Sequence, residues 1–170
     1  FAALYPISSF DSVWMAFHDF ERVFRGLDPN YHAVDTTYHD MQHTLDMTLA
    51  LARLIAGHEM SVEPTDRLGP DRAELAIVSA LFHDVGYLRH RGRDAGAING
   101  AVFTRSHVTR SGHYLESYLP RIGLEQFVND RGGIDQADDA GQIIGGLDTV
   151  DDGGDGLAAR DAEHHDIAGL

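Results

Sequence analysis

The sequence contains no cysteine among its 170 residues. Without thiols the chain cannot form a disulfide scaffold, a thiolate zinc site or a cysteine nucleophile. Imidazole and carboxylate groups are then the metal ligands that remain available to it. The absence of cysteine also fits a reducing compartment, and we therefore expect a cytoplasmic protein.

A long apolar segment is absent as well, since no run approaches the roughly 20 residues that a membrane-spanning helix needs. No secretory signal is visible, and we expect no membrane partner. A chain of 170 residues suits one well-buried domain, so we interpret residues 1–170 as a single domain. The sequence begins at Phe1 and stops inside the apolar run Ile167 to Leu170, and we expect that both ends are trimmed.

Positive charge is scarce, because the chain has 13 basic and 27 acidic residues and a formal net charge of −14. Binding to a nucleic-acid polymer or to an anionic membrane depends on cationic surface. We therefore expect no nucleic-acid partner. A small phosphorylated substrate remains compatible with this charge, because a bound cation and a few arginines can reverse the potential inside one cleft.

Apolar residues recur at spacings of three and four, which is the spacing of a helix face, and no alternating strand pattern of useful length occurs. The predicted fold class is all-α. The predicted helices run from Phe10 to Phe24, from Asp35 or Thr36 to about Ile55 with Gly57 as the stop, from Asp71 to His83-Asp84, and from about Gly100 to Leu119.

Three further expectations concern packing and turns. Trp14 lies on the apolar stripe of the first predicted helix, so we expect it in the core. Gly86 is expected to end the third helix in a left-handed conformation. The basic, glycine-rich segment from Tyr87 to Asn99 is expected to be a loop.

Two clusters carry the residues for metal chemistry. His39 and His43 are four residues apart, so on a helix they would lie on one face. His83 and Asp84 close an apolar helical run. Burying these polar groups would cost on the order of several kcal/mol unless something satisfied them. A divalent cation shared by both clusters would do so, and we therefore predict a metal site.

The same two clusters carry a family resemblance. Residues Tyr38 to Met47 (YHDMQHTLDM) and Leu81 to Gly86 (LFHDVG) resemble the HD-domain metal-dependent phosphohydrolases. The first segment is similar to the corresponding helix of cyclic-nucleotide phosphodiesterases, although Asp40 stands where that pattern has asparagine and Thr44 where it usually has alanine. A looser similarity covers Thr104 to Leu119. The resemblance implies a single helical bundle of the HD-domain type.

The resemblance also implies roles for individual residues. His43, His83 and Asp84 would bind a first ion, and Asp84 would also bridge to a second ion. His39 would donate a proton to the leaving oxygen, while Asp84 would act at the reacting centre through the ions. Such an ion lowers the pKa of its water from about 15.7 to about 7.

Other ligands implied by the resemblance lie later in the chain. His107 would bind the second ion. The final aspartate of the family's pattern is either Asp148 or a residue beyond the end of the sequence, in the helix that begins near Ile167. Mixed imidazole and carboxylate ligands suit Fe, Mn, Co, Ni or Zn, and Mg could occupy a more hydrated position, so one or two divalent ions are expected.

Arginines near these motifs are candidates for binding a phosphate. Arg89 and Arg91 belong to the basic cluster that follows the His-Asp pair directly. Arg110 comes three residues after His107, so both would share one helix face. A guanidinium group matches the geometry of phosphate oxygens.

We therefore expect a divalent-metal-dependent phosphohydrolase acting on a small phosphoester of the nucleotide class. One alternative is a non-catalytic HD regulatory domain that binds a metal or a nucleotide. A zinc peptidase using His39 and His43 is a further alternative, with Asp40 in place of the usual glutamate. A calcium loop at residues 151–156 is disfavoured, because glycine occupies one ligand position and Ala162 the twelfth.

Overall fold

The structure is a computed structural model that describes residues 3–129. Helices dominate this range, and the described residues form no strand beyond one isolated bridge between Tyr31 and His90. The all-α prediction is confirmed for them. None of the described helices has the length and hydropathy needed to span a membrane. The helices are α1 (Asp11–Phe24), α2 (Met41–Ser61), α3 (Gly69–Phe82), α4 (His107–Tyr118) and the short α5 (Gln126–Asn129).

Helix α3 lies at the centre, because α1, α2 and α4 all pack against it. Apart from Ser79, its C-terminal half is apolar, which is the pattern of a helix enclosed by others. Phe82, the last residue of α3, is fully buried and contacts the rings of Phe20, Tyr114 and Tyr118. Burial of such a side chain contributes about 1.5–3 kcal/mol. The core therefore holds the end of α3 firmly, directly before His83 and Asp84.

The prediction that Trp14 lies in the core is wrong. Helix α1 forms as predicted, but Trp14 is 73% exposed. It lines an apolar groove of about 500 Å³ between α1 and α2, where Leu45 and Leu49 form the opposite wall and Ile77 of α3 contributes to the floor. Periodicity identifies the apolar face of α1, whereas the packing of the other elements buries only Ala16, Phe20, Val23 and Phe24 of this helix.

Helix α2 starts later and ends later than predicted. Asp40 caps its N-terminus, since the carboxylate accepts a hydrogen bond of 2.8 Å from the His43 N–H. Asp35 instead accepts from the Gly100 N–H, 65 residues further along the chain. The helix continues through Gly57 to Ser61, because a single glycine costs a helix only about 1 kcal/mol.

The prediction that Gly86 ends α3 in a left-handed conformation is wrong. The described glycines with positive φ are Gly26, Gly69 and Gly123. Gly86 lies in a 3₁₀ turn, Val85–Tyr87, where an added Cβ would come within 2.0 Å of the His107 carbonyl oxygen. The close approach of α4 therefore requires glycine at this position.

The predicted fourth helix is divided in two. A 3₁₀ turn covers Gly100–Phe103, and α4 begins only at His107. Pro120 lies inside the next 3₁₀ turn, Leu119–Ile122, so it changes the helix type after Tyr118. The loop predicted from Tyr87 to Asn99 is confirmed from Leu88 onward, where no helix occurs, whereas Tyr87 belongs to the 3₁₀ turn Val85–Tyr87.

Candidate metal centre

The site begins where α3 ends. His83 and Asp84 follow Phe82 directly, and both are 0% exposed. Adjacent helical residues diverge by about 100° around the axis, so a continuing helix would separate their side chains. Asp84 departs from helical geometry with φ −102° and ψ 4°, and its Oδ2 atom then lies 3.2 Å from His83 Nε2. The end of the helix thus brings the two groups together.

Three imidazole rings surround one oxygen of Asp84. The Oδ2 atom lies 2.8 Å from His39 Nδ1, 3.2 Å from His83 Nε2 and 3.5 Å from His43 Nε2. The other oxygen, Oδ1, is buried without a hydrogen-bond partner among the described residues. A buried carboxylate oxygen without a partner is costly, and a cation bound between Asp84 and the imidazoles would satisfy it.

The proton on His83 strengthens this argument. Its Nδ1–H donates to the Ala80 carbonyl at 2.7 Å, because a carbonyl can only accept. In the neutral ring Nε2 then carries a lone pair, and this atom lies 3.2 Å from Oδ2 of the Asp84 carboxylate. A cation or a second proton would relieve the repulsion between these two electron-rich atoms, and a carbonyl that orients the far nitrogen is the usual arrangement around a metal-binding histidine.

Electrostatics favour the charged form of Asp84. Burial alone would raise its pKa, but the hydrogen bonds from His39 and His83, with the positive charge that these rings carry when protonated, outweigh burial and hold the pKa well below its usual range. The carboxylate is thus available as an anionic ligand at neutral pH.

The described residues therefore contain a donor set that fits a divalent cation. His39, His43 and Asp84 each offer one ligand atom, and these atoms lie within 4.8 Å of one another. This group includes His39, which the family resemblance implies as a proton donor, whereas His83 approaches the same carboxylate from the buried side. Nitrogen and oxygen donors suit Fe, Mn, Co, Ni or Zn.

His39 reaches the site from the loop before α2. We expected both His39 and His43 on one helix, but α2 begins at Met41. The two ring centroids are nevertheless 5.3 Å apart. The Nδ1–H of His39 donates to Asp84, and its side chain is 25% exposed, against 11% for His43. His39 therefore lies between the buried carboxylate and solvent.

Tyr87 was not anticipated from the sequence as part of the site. Its ring is stacked between those of His39 and His107, with centroid distances of 4.3 Å on both sides. His107 is 8% exposed, and its Nδ1–H donates to the Thr104 carbonyl. The two histidine rings are 6.1 Å apart, and the role of His107 at a second ion stays a prediction.

The three arginines make internal contacts. Arg110 donates to the carbonyls of Gly86 and Leu88 and to the carboxylate of Asp94. Its guanidinium carbon also lies 3.8 Å from the centroid of the Phe103 ring. Burial would raise the pKa of Asp94, but hydrogen bonds from Arg110 and from the backbone of His90 hold it below its usual value.

Arg89 and Arg91 likewise bind protein groups. Arg89 pairs with Asp35 at 2.8 Å and donates to the Ala97 carbonyl. Arg91 lies 3.4 Å from both the His32 ring and the Gly26 carbonyl. Contact of these arginines with a substrate phosphate stays a prediction.

Several expectations fall beyond the described range. Asp148, the helix near Ile167 and the acidic segment 151–156 lie outside residues 3–129. The final aspartate of the family's pattern is therefore not located. Ser111, in contrast, lies within the described range and was missed. Its hydroxyl contacts the backbone of both His83 and Gly86, and no local sequence pattern signals such a tertiary contact.

The geometry speaks against the peptidase alternative. In that class the two histidines share a helix and an acidic residue between them acts as the base. Here His39 precedes α2, and Asp40 is engaged as the helix cap. Comparison with known proteins adds no relative, because the chain matches no protein-family model, no curated protein and no solved structure.

Proposed function

We propose that this protein is a divalent-metal-dependent phosphohydrolase that acts on a small phosphoester of the nucleotide class. The observation that carries the proposal is the convergence of His39, His43 and His83 on one oxygen of Asp84, whose second oxygen is buried without a partner. The resemblance of both segments to HD-domain phosphohydrolases supports the same function.

The residues of the site would take two roles, which are binding of the cation and donation of a proton. His43, His83 and Asp84 would hold the cation, since they are the more buried members of the cluster. When bound, a divalent cation polarises a phosphoryl oxygen and lowers the pKa of its water. His39 has its Nδ1–H directed at Asp84 and is partly exposed, so its Nε2 can hold a proton for a departing alkoxide.

Asp84 supports His39 in this role. A carboxylate that accepts from Nδ1–H orients the imidazole and fixes which ring nitrogen faces away from it. Tyr87, stacked on the His39 ring, restricts the tilt of that ring. The pair Asp84 and Tyr87 therefore fixes the direction in which His39 presents its second nitrogen.

The test is hydrolysis of a phosphoester panel, including nucleotides, by protein loaded with Mn²⁺, Co²⁺, Ni²⁺, Fe²⁺ or Zn²⁺. We expect His39→Ala to keep its metal but to lower kcat by about 10²–10⁴-fold, the usual contribution of a general acid. His113→Ala is the matched control, because His113 is exposed on α4. Loss of metal in His39→Ala would instead make His39 a ligand, and no turnover of any phosphoester by the loaded protein would contradict the proposal.

A regulatory domain that binds a metal or a nucleotide without hydrolysis is the second candidate. The internal contacts of Arg110 and Arg89 favour it, because their guanidinium groups bind protein carbonyls and carboxylates and are less available to the phosphate of a substrate. Calorimetric titration of the metal-loaded protein with nucleotides separates the two. Tight binding without any product after prolonged incubation would indicate the regulatory domain.

A further inference from the structure

The backbone that carries the His-Asp pair leaves two polar groups without a helical partner. In a continuing α-helix the His83 carbonyl would accept from the Tyr87 N–H. The Tyr87 N–H donates instead to the Asp84 carbonyl at 3.0 Å. The His83 carbonyl and the Gly86 N–H therefore need partners from elsewhere, and both residues are buried.

One hydroxyl from α4 satisfies both groups. The Oγ atom of Ser111 donates to the His83 carbonyl and accepts from the Gly86 N–H at 2.9 Å. Ser111 is 0% exposed, so water does not replace it. A serine hydroxyl suits this position because it is both a donor and an acceptor.

The neighbours of Ser111 hold the same turn from the same side. Arg110 donates through Nε to the Gly86 carbonyl at 2.7 Å and through Nη2 to the Leu88 carbonyl at 3.0 Å. The His107 carbonyl approaches so closely that only glycine fits at position 86. Helix α4 thus fixes the conformation of residues 83–88 through several hydrogen bonds. Among these, the bond from the Ser111 hydroxyl is the one that His83 accepts through its carbonyl.

We infer that Ser111 is a positioning residue for the metal centre. Its hydroxyl holds the turn after α3 in the conformation that directs His83 Nε2 and Asp84 Oδ2 at one point. The inference rests on the proposed cation site, and it assigns to α4 a role in setting ligand geometry beyond packing. Supporting groups around metal ligands usually change metal affinity by about 10–100-fold when removed.

The test compares Co²⁺ binding by wild type, Ser111→Ala and Ser111→Thr, read from the Kd and from the visible absorption spectrum of the bound ion. We expect Ser111→Ala to weaken Co²⁺ binding by about 10–100-fold and to alter the spectrum. Ser111→Thr, which keeps the hydroxyl, restores the spectrum. Ser117→Ala is the matched control, because the Ser117 hydroxyl donates only to Tyr114 within α4, and it leaves both readouts unchanged.

The outcomes separate the two proposals. Failure of wild type to bind any of the five metals overturns the proposed function together with this inference. Binding by wild type with an unaltered Kd and spectrum in Ser111→Ala overturns only the inference, even if urea unfolding shows a less stable protein. Should Ser111→Ala fail to fold, Ser111→Cys takes its place, since a thiol fills similar space but hydrogen-bonds weakly, and the same spectral change is expected.

Discussion

Two regions beside the central helix α3 depart in opposite ways from the usual burial of apolar residues and exposure of polar ones. At its C-terminal end, His83 and Asp84 are fully buried although they are polar. Beside its middle, Trp14 is 73% exposed although it is the largest apolar side chain of α1. For these three residues, the elements that pack around them decide burial more than their hydrophobicity does.

The difference shows where the fold accepts an energetic cost. Burying a carboxylate among imidazoles is unfavourable unless the charges are paired and satisfied. The α4 side of the site supplies hydrogen bonds to the surrounding backbone, whereas the groove between α1 and α2 receives no comparable set of contacts from the described residues. Polar burial with dedicated support is typical of a functional site.

The largest expected effect on stability concerns the apolar base of the site. Phe82→Ala should lower the free energy of unfolding by about 3–5 kcal/mol, because it opens a cavity among Phe20, Tyr114 and Tyr118. Urea unfolding followed by circular dichroism measures the change. A loss below about 1 kcal/mol would mean that the core does not hold the end of α3 firmly.

The next effect is the pH dependence of stability in the metal-free protein. The pKa of Asp84 is lower in the folded state than its ordinary value of 3.8, so its stabilising contribution is complete above that value. It is lost as pH falls through the folded pKa. As pH falls from 5, the free energy of unfolding of wild type should therefore decrease more than that of Asp84→Asn. Urea unfolding after chelation of the metal measures both values. Identical slopes for the two proteins would contradict the pairing of Asp84 with His39 and His83.

The smallest expected effect concerns the groove. Trp14→Ser should change the free energy of unfolding by no more than about 0.5 kcal/mol, because an exposed side chain gains little from burial. The single tryptophan makes its own fluorescence a second readout, and in wild type we expect emission typical of a solvated indole. A loss of several kcal/mol in Trp14→Ser would remove the contrast between the two regions.

Sequence reasoning succeeded where the signal was local. The apolar spacing predicted α1 and α3, and the His-Asp pair after an apolar run led to the convergence with His39 and His43. It failed for Trp14, because periodicity identifies an apolar face but does not say which neighbour covers it. It also failed at the start of α2, where Asp35 or Thr36 was predicted as the first residue. Asp40 is the cap instead, and Asp35 accepts a hydrogen bond from the distant Gly100 N–H.

Tertiary contacts account for the remaining differences. Gly86 was interpreted as a helix terminator, since glycine often serves this purpose. Its actual requirement comes from the His107 carbonyl, 21 residues away in sequence, which no local pattern contains. Ser111 and Tyr87 were missed for the same reason, because their partners lie on other elements.

Metal content is the measurement that tests the central claim most directly. Wild type, His83→Ala, Asp84→Ala and the exposed control His113→Ala are purified in parallel, loaded with metal, desalted and analysed for transition metals. We predict that wild type and His113→Ala retain the metal, whereas His83→Ala and Asp84→Ala lose it. Equal metal content in all four folded proteins would contradict a cation centre built around Asp84.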